Sequence, residues 1–252
     1  MLRLVILLLL LSSHTYFSQT NPQLIIDTKG HAAPVTGLFF INSGQNLLSV
    51  SQDKTIRIWE TGSQLLKRTL RINIGSDIIG SIYCASYNAE NDLLAVGGYL
   101  AQKSKSEELG KIILIRISTA EIIDELHFHK NTINALHFSP NGNFLISGDS
   151  DGKLACWTRS GSTYKFKNAA EAHYQGVTCV SSAKNTVVSG GEDGSVKLWK
   201  ITETGLSTAE TSTLHTARIS SVSITADGSY IATVGEAFRS RFFKPELIFN
   251  LL

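Results

Sequence analysis

The chain has 252 residues, of which 42% are hydrophobic and 17% charged, with a formal net charge of +2. Such a mix supports a sizeable core and excludes a disordered chain. A net charge this small argues against an electrostatic grip on nucleic acid or an anionic membrane. The three cysteines, Cys84, Cys156 and Cys179, form no close pair, and an odd count without spacing is not a disulfide framework. Each lies in an apolar, strand-like run (IYCAS, LACW, VTCV) and reads as a small buried hydrophobe.

In chain order, the first element is a leader. Arg3 precedes an unbroken apolar run, Leu4 to Leu11, and a polar stretch with small residues follows, Ser12 to Thr20. This is the pattern of a secretory signal peptide over 1–20, with cleavage expected after Ser18 or Thr20. The apolar run is far short of the roughly 20 residues a spanning helix needs. Membrane contact is therefore expected only through an uncleaved leader, and the mature chain is expected to be secreted or periplasmic.

Past the leader, short runs alternate apolar and polar residues and end in turn residues. Val35 to Phe40, a Ser43-Gly44 turn and Leu47 to Ser51 predict one hairpin; Ile133 to Ser139, Pro140-Asn141-Gly142 and Phe144 to Ser147 predict another. No segment carries a helical period. Three stretches repeat one another: SVSQDKTIRIWE at 49–60, SGDSDGKLACWT at 147–158 and SGGEDGSVKLWK at 189–200. Each places an aspartate six residues before a tryptophan: Asp53 and Trp59, Asp151 and Trp157, Asp193 and Trp199. Each places a serine four before the aspartate (Ser49, Ser147, Ser189), with a histidine upstream (His31, His129, His173). The last two tryptophans are 42 residues apart, the period of a four-stranded blade.

With these residues the sequence resembles the WD-repeat (WD-40 type) family of β-propellers over about residues 24 to 236. The resemblance implies an all-β propeller of four-stranded antiparallel blades. About five blades are visible, at about 31–70, 81–128, 129–168, 173–214 and 215–243, within a propeller region of 24–243, and an irregular tail follows at 244–252. It also implies that His, Ser, Asp and Trp of one blade form a hydrogen-bonded tetrad, satisfying one another's buried polar groups. Two blades depart from the pattern. In the second, Gly110 and Arg116 stand where aspartate and tryptophan are expected. In the fifth, His215 and Thr233 fit, but Ala237 and Phe243 replace the last two members, and the ending FRSRFFKPELIFNLL looks unlike a blade. Family rings usually have seven blades, so five read as an incomplete ring and the chain as part of a longer protein. Leu24 to Asp27 is placed to complete a last blade.

No chemistry of catalysis emerges. His127, His129 and His137 lack an acidic or cysteine partner at zinc-ligand spacing, so no metal is expected. Serine, histidine and aspartate recur in each blade, but no nucleophile elbow holds a serine free. Gly190-Gly191-Glu192-Asp193-Gly194 has no Lys-Ser/Thr end and no helix behind it, so it is not a phosphate loop. No cofactor and no small-molecule substrate is expected. The resemblance implies instead a non-catalytic platform for protein partners on the top face. The residues expected there are Gln52, Ser150 and Glu192 beside the aspartates, and Pro34, Thr132, Tyr174 and Arg218 in the loops entering the blades. An insertion at Tyr99 to Gly110 opens on the same face. The alternative is the sensor or targeting part of a larger enzyme, for example a caspase-like protease; Cys179, in VTCVS, lacks the surroundings of such an enzyme's nucleophile.

Overall fold

The computed structural model describes residues 30–72, 79–100, 109–213, 215–236 and 239–244. The expected leader, the strand at Leu24 to Asp27, most of the insertion after Tyr99, Ala237 and the tail from 245 lie outside them. Nineteen strands and no helix form among the described residues. They make five antiparallel sheets in chain order. Blade one is β1 (Val35–Ile41), β2 (Asn46–Ser51), β3 (Thr55–Glu60) and β4 (Leu66–Arg71); blade two is β5 (Ser81–Asn88), β6 (Leu93–Tyr99), β7 (Gly110–Arg116) and β8 (Glu121–His129). Blade three is β9 (Ile133–Phe138), β10 (Phe144–Asp149), β11 (Lys153–Ser160) and β12 (Thr163–Glu171); blade four is β13 (Val177–Ala183), β14 (Thr186–Gly191), β15 (Val196–Thr202) and β16 (Gly205–Ser212). Blade five has three described strands, β17 (Ile219–Ile224), β18 (Ile231–Gly235) and β19 (Arg239–Phe243). Together they are arranged as a β-propeller.

The hairpins form where the turn residues allow. Asn42, Ser43 and Gly44 all take left-handed backbone angles between β1 and β2, and Gly142 does so between β9 and β10. The segment 239–243, whose sequence looks unlike a blade although it falls within the expected fifth blade, pairs with β18 and places Phe243 opposite Ile231. An aromatic there completes the apolar side of the sheet.

Middle strands that are apolar on both sides give the blades two buried faces, and each interface between blades becomes a core. Leu48, Val50, Ile56 and Ile58 of blade one meet Leu94, Val96, Ile113 and Ile115 of blade two. Blade two's other face, with Leu93, Ala95, Ile112 and Leu114, meets Leu145 and Trp157 of blade three. Ile146, Leu154 and Cys156 of blade three meet Val187 and Trp199 of blade four, and Val188 and Leu198 of blade four meet Val222, Ile231 and Phe243 of blade five. Glycine permits the close approach at two of these seams. A Cβ on Gly148 would lie 2.4 Å from a methyl of Val177, and one on Gly190 2.6 Å from a methyl of Ile219.

The innermost strands carry a second device. Each has an irregularity in register near its start, in one blade after another. In blades one and four the residue at the irregularity turns its side chain toward the neighbouring blade: the Thr36 hydroxyl donates to the Ile82 carbonyl, and the Thr178 hydroxyl to the Ile219 carbonyl at 2.6 Å. In blade two the Cys84 thiol does the same toward Ile133. Apolar seams and these polar stitches together hold successive blades in one orientation.

Candidate functional site

The polar network of blade one begins at the indole. Trp59 Nε1–H donates to Ser49 Oγ at 2.8 Å, and Ser49 lies 2.7 Å from His31 Nε2. His31 Nδ1 lies 2.9 Å from Asp53. Because the indole can only donate, Ser49 spends its own proton on His31 Nε2, which leaves Nδ1–H to donate to the carboxylate. The imidazole closes a chain running Trp to Ser to His to Asp. Blade four repeats it, with Trp199 on Ser189 at 2.9 Å, Ser189 to His173 Nε2 at 2.8 Å, and His173 Nδ1 to Asp193 at 3.1 Å. Burial holds the His173 imidazole below its ordinary pKa, against the pull of Asp193, which suits the neutral form.

Each network has a member that sequence reading missed. The Thr55 hydroxyl donates to Asp53 at 2.6 Å and touches His31 Nδ1; Ser195 donates to Asp193 at 2.7 Å and touches His173 Nδ1. Both stand two residues after the aspartate, and a hydroxyl at that place in two of three repeats was the available signal. Backbone N–H groups complete the cradle, from Ala32 and Thr55 on Asp53 and from Tyr174 and Ser195 on Asp193. Burial pushes the Asp53 carboxyl up, but the Thr55 hydroxyl, the Ala32 N–H and His31 outweigh it and hold it at about 2.

Blade three requires a correction. Trp157 donates to Ser147, and Ser147 meets His129 Nε2 at 2.7 Å. The carboxylate on His129 Nδ1, however, is Asp149, at 2.6 Å, and not Asp151. Asp151 is exposed and accepts from the Asn131 amide. The reason lies at position 153: a lysine replaces the hydroxyl that braces Asp53 and Asp193, so nothing holds a carboxylate at 151 against the histidine. Asp149 approaches from the end of β10 and takes the N–H groups of Asp151 and Lys153 on its other oxygen.

The remaining blades solve the problem differently. In blade two, Ile115 and not Arg116 sits at the register of the tryptophans, opposite Leu94 as Trp157 is opposite Leu145. Val96 holds the serine position, so the network is replaced by apolar groups that need no partner. Lys111, at 3% exposure, finds the Glu125 carboxylate at 3.1 Å. In blade five, His215 Nε2 meets Thr233 Oγ1 at 2.8 Å.

These networks leave no free nucleophile. Ser147 and Ser189 are fully buried, and each hydroxyl is held between an indole and an imidazole. Among the described residues no three or more His, Cys, Asp or Glu groups converge as metal ligands; His127 is exposed, 3.9 Å from Glu125, while burial lowers the His137 pKa.

What the networks do build is a fixed top face, the side on which the His loops meet the β2–β3 type turns. Gln52 N–H donates to the Pro34 carbonyl at 3.0 Å, Ser150 N–H to Thr132 at 2.9 Å, and Glu236 N–H to Arg218 at 2.9 Å. The same bond in blade four joins Glu192 to Gly176, at 2.9 Å. Tyr174 therefore stands two positions earlier than its expected counterparts, next to the histidine, and its side chain is 92% exposed. Arg218 gathers two carboxylates, Glu236 at 2.7 Å and Glu192 at 3.8 Å, and so links the top edges of blades four and five.

The family model described as WD domain, G-beta repeat matches residues 22–60, 120–158 and 164–200. These stretches end on the three tryptophan-bearing strands; of the two altered blades only β8, the outer strand of blade two, falls within a match. The chain is 22% identical over 200 residues to apoptotic protease-activating factor 1 of Mus musculus, covering 70% of this chain and 16% of that protein. It is 28% identical to nuclear distribution protein PAC1 of Coccidioides posadasii, covering 65% of this chain and 36% of that protein. Against DDB1- and CUL4-associated factor 5 of Homo sapiens it is 26% identical, covering 52% and 13%. The chain thus spans from about an eighth to about a third of the length of these relatives. Three matched repeats, each ending on a tryptophan tied through serine to histidine, make this chain a WD-repeat protein.

Proposed function

We propose that the chain is a non-catalytic, exported platform whose top face, centred on blades three to five, binds a protein or peptide partner. One observation carries the reading: Tyr174 projects almost wholly into solvent from a loop whose backbone N–H is fastened to Asp193 at 3.0 Å. A large aromatic held rigid in water loses little freedom on binding and gains apolar contact, the profile of an interface anchor. Glu192 and Arg218 lie beside it on the same side of the ring and add charge for orientation. Export is supported by the apolar run from Leu4 to Leu11 behind Arg3.

Affinity capture from the native cells, with tagged protein and a Tyr174→Ala, Arg218→Glu variant, tests this. The variant is expected to keep its melting temperature and lose a partner that the parent retains. An unchanged set of captured proteins overturns the reading. A second reading, the targeting part of a longer polypeptide with its own catalytic domain, draws on the small share of each relative that the chain spans; a longer native product carrying an enzymatic domain on an immunoblot would favour it.

A further inference from the structure

On the opposite side of the molecule, where the β1–β2 turn and β4 of blade one face the outer turns of blade two, lies a cavity of about 360 Å³. Its apolar wall is Ile41, Ile58 and Ile117. Asn46 opens into it while only 6% exposed, and its Oδ1 is buried without a hydrogen-bond partner. A buried amide oxygen without a donor carries a desolvation cost. Two cations complete the rim. Arg68, opposite Ile58 in the sheet, makes one bond, a long one of 3.4 Å to the Thr119 carbonyl, and neither it nor Lys67 has an ion-pair partner among the described residues. The acid at the far end, Asp92, is already engaged by the Tyr87 hydroxyl and the Ser118 N–H.

We infer that this cavity is a second peptide-binding site, which seats a carboxylate carried beside a branched aliphatic side chain. The carboxylate lies between Lys67 and Arg68 and accepts from both. The alkyl group lies against the three isoleucines. Charge complementarity selects the anion: two cations without ion-pair partners among the described residues stand against the single carboxylate of Asp92. The wall selects the alkyl group, because an inorganic anion would leave apolar surface wet. None of these residues belongs to the top face, so this site stands or falls apart from the binding face proposed above.

The probe is N-acetyl-leucine, titrated into the folded, isotope-labelled protein and followed by amide shifts in two-dimensional NMR. Saturable shifts at the Asn46 side-chain amide, Ile117 and Ser118 are expected, with a dissociation constant in the low-millimolar range, roughly what a ligand of a dozen heavy atoms reaches. N-acetyl-leucinamide, which lacks the charge, and inorganic phosphate, which lacks the alkyl group, are expected to shift these signals at least tenfold less at equal concentration. Arg68→Glu, on an exposed position, is expected to weaken the probe at least tenfold, with Arg68→Lys in between. Equal shifts with the amide or with phosphate, shifts unchanged by Arg68→Glu, or no saturable shift at concentrations well above the expected constant would each overturn the proposal.

Discussion

Replacing Asp149 by alanine tests the reassigned network of blade three, and Asp151→Ala is its control. Asp149 and His129 are both completely enclosed, at 0% side-chain exposure. Asp149 accepts from the imidazole at 2.6 Å and from two backbone N–H groups at 3.0 and 2.9 Å. The substitution leaves the His129 donor in an apolar seam with no water to replace the carboxylate, which costs about 3 kcal/mol. For a domain of this size that lowers the melting temperature by about 6–12 °C. Asp151→Ala removes one exposed hydrogen bond to Asn131, worth less than about 0.5 kcal/mol and under about 2 °C. Urea titration followed by tryptophan fluorescence is the assay, since the Trp157 indole belongs to the same chain of bonds. An Asp151→Ala protein less stable than Asp149→Ala would refute the reassignment.

Other outcomes follow from the same geometry. Gly190→Ala forces a methyl to within 2.6 Å of the Ile219 γ-methyl and is expected to cost about 1–3 kcal/mol; no loss in urea midpoint would contradict the tight seam. His173, His137 and His215 are all held below their ordinary value of 6.5, chiefly by burial. They take up protons more readily unfolded, so the stability they lend is full above pH 6.5 and is lost as pH falls below it. Asp53, lowered from 3.8 to about 2, adds a second loss between those values. Melting temperature should therefore decline in two stages on acidification, and a rise between pH 7 and 5 would contradict the neutral imidazoles. Burial raises the thiols of Cys84, Cys156 and Cys179, Cys156 to about 11; a thiol reagent at pH 8 should label none in the native protein and three after unfolding, and rapid native labelling would show the blades to be looser than described.

Much of this arrangement was legible in the sequence because the repeat writes it several times. Ser49, Ser147 and Ser189 sit at one spacing from their tryptophans, and in each blade that spacing puts hydroxyl and indole on one face of adjacent strands. The aspartate was less legible. SGDSDGK contains two, and spacing from Trp157 selects Asp151; only the missing hydroxyl at Lys153 tells that the other one turns inward. Strand β19 fell within the expected fifth blade but carries no blade-like pattern, since pairing with β18 needs backbone groups more than a pattern. In blade two the tryptophan's place was misread by one residue, since Ile112 to Ile115 is apolar on both faces and shows no alternation to fix the register. Tyr174 was expected on the top face, but its exposure could not be read from a loop sequence. The cavity beside Asn46 was invisible in the sequence because its parts come from two blades and only packing brings Ile117 over Ile58.

The central claim is that the top face around Tyr174 receives a protein partner. Site-specific photo-crosslinking tests it most directly, with p-benzoylphenylalanine in place of Tyr174 and, as control, in place of Lys165, which is exposed on the outer strand β12. In native cells the probe at 174 is predicted to give a discrete adduct of constant mass, which the probe at 165 does not. An adduct from 165 with none from 174 would contradict the account and move the binding surface to the outer edge of the blades.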